Sequence, residues 1–89
     1  GFSPRGKAKE DVEAGTFTLK GKLPVNTDGG LKSFGHPLAA SGLRMVYEIN
    51  SQLLEKAGPR QVKNAKIGLC HNLGGLPPSC AVVILSRAD

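Results

Sequence analysis

Two histidines and two cysteines carry most of the reactive chemistry available to this sequence of 89 residues. His36 closes a glycine-rich stretch, Gly29-Gly30-Leu31-Lys32-Ser33-Phe34-Gly35-His36-Pro37. Proline is well tolerated at the first position of a helix, because its missing N–H costs nothing there. That spacing predicts His36 at or near a helix N-cap, where the positive end of the helix dipole favours the neutral ring. A neutral imidazole at a glycine-lined helix mouth suits a general base working near neutral pH. The plainer reading is that His36 merely caps a helix, and on local sequence alone that reading leads.

The second cluster is Cys70-His71, followed by Gly74-Gly75. A dyad between Cys70 and His71 themselves is poor, because neighbours on a strand point to opposite faces. One of them could instead face His36 across a pocket, with the glycine-rich loop presenting backbone N–H groups to an oxyanion. The plainer alternative is a buried cysteine ending a core strand and a histidine in solvent. A metal site drawn from His36, Cys70, His71 and Cys80 lacks any Cys-x-x-Cys or His-x-x-x-His pair, the spacings that bind zinc locally. The stretch Gly29 to Gly35 has the glycines of a phosphate cradle but not the Gly-Lys-Ser/Thr ending of a P-loop.

The elements that must position these groups follow from the patterning. Residues 10–14 read as a helical turn closed by Gly15. Residues 16–19 alternate like a short edge strand. Residues 22–26 read as extended, with Pro24 keeping them from a central ladder position. From 37 to 57 the period becomes 3.6, with Gly42, Met45, Val46, Ile49, Leu53 and Ala57 on one stripe. Arg44, Glu48, Ser51 and Glu55 lie opposite. Leu43, Tyr47 and Leu54 widen the apolar side, which predicts a helix buried on more than one side. Gly58-Pro59 supplies the stop. Residues 65–70 alternate as a strand, 71–79 form a loop, and 80–85 are continuously apolar, as in a strand covered on both faces. The loop is too short for a parallel crossover, so these two strands should be antiparallel neighbours.

Such a helix and such a strand need layers on both sides. Residues 1–35 are too polar to supply them, so the chain reads as the end of a larger α/β domain. A chain of this length also buries only about 60–65% of its unfolded surface. It begins at Gly1 rather than Met, which reads as processing or cutting. The net charge is +5 and aromatic content is 4%. The basic residues form no long run, and the few aromatic side chains offer little for stacking on nucleic acid. Two cysteines make no disulfide framework, which favours a reduced, cytoplasmic protein. No apolar stretch approaches the length of a membrane span.

At these same residues the sequence resembles the C-terminal end of thiolases, in the branch that includes archaeal acetyl-CoA acetyltransferases and sterol-carrier-protein-type thiolases. The matching pieces are PVNTDGGLKSFGHPLAASG, EINSQLLEKAGPRQVKNAKIGLCHNLGG and the closing AVVIL. The resemblance implies an α/β fold, with this chain a fragment of the thiolase-fold C-terminal domain: a long buried helix followed by an antiparallel strand pair. Residues 1–21 would be a polar N-terminal segment and 22–89 the C-terminal portion of the domain. Thiolases transfer or condense acyl groups between thioesters and coenzyme A through an acyl-cysteine. His36 matches the histidine of the family's Gly-His-Pro motif, which activates that cysteine and helps polarise the thioester. His71, or alternatively Cys70, matches the second acid/base. The His-Asn-x-Gly-Gly form favours His71. Gly35, Gly74 and Gly75 would line the substrate and oxyanion positions.

The resemblance implies no cofactor or metal beyond the coenzyme A thioester as substrate. Its partners would be the remainder of the thiolase polypeptide, acyl-CoA and further copies in an oligomer, with no nucleic acid. Nothing in the sequence matches the family's nucleophilic cysteine, so this chain alone should be inactive. Two departures stand out: Ala39 where the family usually has glycine, and Leu76-Pro77-Pro78 after the glycine pair. The rival readings are a non-catalytic thiolase-like subunit and a small module binding a phosphorylated ligand through Gly29 to Gly35.

Overall fold

A computed structural model describes residues 1–76 and 79–88. The order is α1 (Ala8–Glu13), α2 (Gly30–Phe34), α3 (Ser41–Leu53), a 3₁₀ turn at Gly58–Arg60, β1 (Ile67–Leu73) and β2 (Cys80–Ser86). The strands pair antiparallel, Ile67 opposite Ser86 and Leu73 opposite Cys80, as the short loop requires. Pairing carries β1 on through His71, Asn72 and Leu73, three residues that the pattern assigns to the loop.

The central helix is shorter and more exposed than its pattern suggests. It begins at Ser41 rather than Pro37, because Ala39 sits in the left-handed region at φ 66° and a right-handed helical backbone cannot run through it. It ends at Leu53, before Gly58. The Lys56 amide donates to the Ser51 carbonyl at 2.8 Å and that of Glu55 to Gln52 at 3.2 Å, with Glu55 at φ 59°. This is the Schellman closure, with glutamate in the position that glycine usually fills. The expectation of a long buried helix is therefore corrected. Leu43 and Tyr47 are 74% and 67% exposed, and Leu54 is exposed too.

The faces of α3 are closed by different means. Toward the strands, small residues permit close approach. A Cβ at Gly68 would collide with the Ile49 side chain, and one at Gly42 would lie 2.9 Å from Asn72 Nδ2. On the other side, Glu48 and Ser51 are buried, although the 3.6 period assigns them to the solvent face. Glu48 accepts from Thr27 Oγ1 (2.8 Å), Gln52 Nε2 (2.9 Å) and Arg60 Nε (2.9 Å to Oε2). Burial pushes its carboxyl up, but the donors Arg60, Gln52 and Thr27 outweigh that and hold it below the usual range.

Residues 16–19 form turns instead of an edge strand. Leu23 N–H still reaches the Thr16 carbonyl and Val25 N–H that of Phe17, without forming a strand. Strand β2 is not covered on both faces, and of its residues only Leu85 is even half-buried. With Cys70 buried, alternation places Gly68, Cys70 and Asn72 toward α3, opposite Leu85, Val83 and Ala81. The outer face carries Ile67, Leu73, Val82 and Ile84, all exposed.

Candidate functional site

The glycine-rich stretch folds into α2, and that short helix is pinned to α3. Asp28 accepts from the Gly30 amide at 2.9 Å and from Arg44 Nη1. The Arg44 guanidinium lies 4.9 Å from the centre of the Phe34 ring, within cation–π range. The Gly35 amide donates to the Leu31 carbonyl at 2.8 Å. A carboxylate occupying the Gly30 amide opposes the phosphate-cradle reading, because the group that would meet an anion there is itself negative.

His36 follows Gly35, whose φ of 73° turns the chain away from α2. The histidine is not the N-cap of the next helix: that position belongs to Ala40, so the dipole argument drawn from the sequence does not apply to it. The ring is held instead by a side chain. His36 Nδ1 lies 2.7 Å from Ser41 Oγ. Ser41, at 2% exposure, also bonds back to the Pro37 carbonyl at 3.2 Å.

One groove, about 620 Å³, gathers several of the candidates. His36, Ala39 and Ser41 stand on one wall, and Cys70, Asn72 and the Gly74-Gly75 pair on the other. Burial pushes the Cys70 thiol up, so it rests protonated and suits proton donation better than nucleophilic attack. His71 is exposed on the opposite face of β1 and lines a different groove, with Phe2 and Leu23, which Cys70 also borders. The strand thus brings Cys70, and not His71, to the side of His36. The Gly74 amide is already engaged by the Ser79 carbonyl at 2.7 Å.

Cys70 and Cys80 are free thiols on opposite faces of the strand pair, since Cys70 faces Val83 and Cys80 faces Leu73. Among the described residues no group of three or more His, Cys, Asp or Glu is placed to hold a metal ion, and no helix is long and apolar enough to cross a membrane. The sequence reading missed Ser41 and Asn72 as groove residues. The spacing from His36 to Ser41 carries no helical signal, because the turn through Ala39 brings them together. The departure at Pro77-Pro78 lies outside the described residues.

Set against known proteins, residues 1–87 match the family described as Thiolase C-terminal domain-like. An acetyl-CoA acetyltransferase of Methanothermobacter thermautotrophicus is 45% identical over 87 residues, 98% of this chain and 23% of that protein. Sterol carrier protein 2 of Rattus norvegicus is 47% identical over 87 residues, 98% of this chain and 16% of that protein. A benzoylsuccinyl-CoA thiolase subunit, BbsB, of Thauera aromatica is 30% identical over 76 residues, 84% of this chain and 20% of that protein. The chain therefore spans less than a quarter of each of these relatives. With nearly its whole length matched, it belongs to the thiolase C-terminal domain-like family.

Proposed function

We propose that the polypeptide to which this chain belongs is a thiolase-type acyltransferase, moving or condensing acyl groups between thioesters and coenzyme A. Its acyl-carrying cysteine would lie outside this chain, and the rest of the polypeptide would cover the apolar outer face of the strand pair. His36 is the acid/base group. It takes the proton of the attacking thiol and gives it to the thiolate that leaves as the acyl group moves, which keeps proton transfer within one fixed ring.

The observation that supports this reading most is the shared groove, with His36 anchored by Ser41 on one wall and Cys70 and the glycine pair on the other. The second acid/base belongs to the neighbours Cys70 and His71. Family resemblance favours His71, and the groove favours Cys70. Because the two side chains leave opposite faces of one strand, single substitutions separate them cleanly. Gly75 is the loop amide proposed to meet an oxyanion, while Gly74 would first have to release Ser79. Gly35, its own amide turned back to Leu31, gives the substrate a close backbone rather than a donor.

The test is acyl transfer by the full-length enzyme. His36→Ala should lower kcat by about 10²-fold or more, as for a lost general base, with the fold intact by circular dichroism. Near-normal turnover in that variant would remove His36 from the chemistry. Cys70→Ala and His71→Ala, assayed for condensation of two acyl thioesters, should show one large loss and one small one.

A further inference from the structure

We propose that Ser41 is a positioning residue that fixes the tautomer of His36, holding the proton on Nδ1 and leaving Nε2 free to accept one. This rests on the reading of His36 as the acid/base group. The hydroxyl of Ser41 has one proton and two polar neighbours, His36 Nδ1 at 2.7 Å and the Pro37 carbonyl at 3.2 Å. Serine near a helix start commonly donates to the carbonyl four residues back, and Pro37 stands at that separation. With its proton directed at Pro37, a carbonyl that also accepts the Ala40 and Ser41 amides at 3.0 Å, Oγ accepts from the ring and Nδ1 carries hydrogen. The resulting chain runs from Nδ1–H to Oγ, and from Oγ–H to the Pro37 carbonyl.

This arrangement serves both charge states without rearrangement. When Nε2 takes a proton, the imidazolium keeps the same acceptor at Nδ1. A buried carboxylate in the same position would also orient the ring, but it would add a charge. Ser41 supplies orientation alone. At 2% exposure, its oxygen is shielded from bulk water. The opposite order, with the hydroxyl donating to Nδ1, would put the ring proton on Nε2. The ring could then donate into the groove but not accept.

The two orders are distinguished directly by nitrogen-15 correlation spectra of the full-length enzyme with labelled histidine, taken where the ring is neutral and assigned by comparison with His36→Ala. A protonated Nδ1 and a bare Nε2 are expected. A protonated Nε2 in the wild type overturns the proposal, whatever His36→Ala does to turnover. This readout needs no Ser41 variant, so a folding defect cannot mask it. Ser41→Ala should release the fixed tautomer and lower kcat about tenfold with KM little changed, in the range typical of supporting hydrogen bonds. Ser41→Thr, which keeps the hydroxyl, should restore both. If the wild-type ring is protonated at Nδ1 but His36→Ala leaves turnover normal, the assignment of Ser41 stands and the catalytic reading of His36 falls.

Discussion

The two sides of α3 solve the same packing problem with opposite chemistry. Toward β1 and β2 the helix is fitted by the absence of side chains at Gly42 and Gly68 and by apolar contact. Toward residues 26–34 and the 3₁₀ turn it is fitted by charge, with Glu48 at the hub of Thr27, Gln52 and Arg60, and Arg44 on Asp28. The first side depends on volume and holds no group that titrates in the acid range where Glu48 does. The second depends on ionisation and on every hydrogen bond being made, since a buried carboxylate without donors costs far more than it returns. His36 sits where the two meet: α2, which leads into it, is pinned by the charged side, and its groove is walled by the strand side.

The largest effect should come from the charged side. Glu48→Ala strands the donors of Thr27 and Gln52 and leaves Arg60 without its carboxylate. A loss of about 2–3 kcal/mol is expected, read by urea unfolding of the full-length protein. The same cluster should respond to acid. Because the folded carboxyl is held below its ordinary value of 4.5, its contribution is complete above that pH and fades as the pH falls through the lower folded value. Glu48→Gln should flatten that part of the stability profile. A profile unchanged by Glu48→Gln would show that the cluster's hydrogen bonds matter and its charge does not.

The volume side is probed by Gly68→Ala, whose new methyl meets Ile49. A loss of about 1–3 kcal/mol is expected from overpacking. Adding Ile49→Val, which removes the Cδ1 contact at 3.0 Å but keeps the closer Cγ2, should recover a small part of it, and Ile49→Ala, which removes both, should relieve the collision itself. None of these variants should alter the acid limb that Glu48 controls. If the Gly68 loss grew steeply at low pH, the two sides of the helix would not be independent and the contrast would fail.

Much of this was readable in the sequence, and the exceptions have physical causes. The antiparallel pair, the start of β2 at Cys80 and the 3.6 period of α3 all follow from spacing. The burial of Glu48 does not. Its partner Arg60 lies 12 residues away, beyond a turn whose path periodicity cannot encode, so a glutamate on the polar stripe reads as solvated. The groove shared by His36 and Cys70 was foreseen only as an option, because alternation says that Cys70 and His71 part company but not which one faces the helix. Gly68 and Gly42 now settle the side: their missing Cβ atoms mark the face of β1 that meets α3. Ser41 escaped notice because its partner is reached by a turn, not along a face.

The smallest expected effect concerns the joint between the two sides. Four described non-glycine residues have positive φ, namely Asn26, Ala39, Glu55 and Asn64. Asparagine tolerates that region through its short polar side chain. Alanine has no such relief, so Ala39, at 66°, carries about 1–2 kcal/mol of backbone strain. Glycine would remove it, at a cost of about 0.5–1 kcal/mol in unfolded-chain entropy. Ala39→Gly should therefore stabilise the full-length protein by about 0.5–1 kcal/mol, seen as a higher urea midpoint with an unchanged slope. The turn it relaxes is also the one that brings Ser41 to His36. If the strain holds that hydrogen bond in place, the stabilised variant should show a less uniform His36 tautomer and a lower kcat. If kcat is unchanged while stability rises, the geometry of His36 is set by Ser41 and the charged side of α3, and the strain at Ala39 contributes nothing to it.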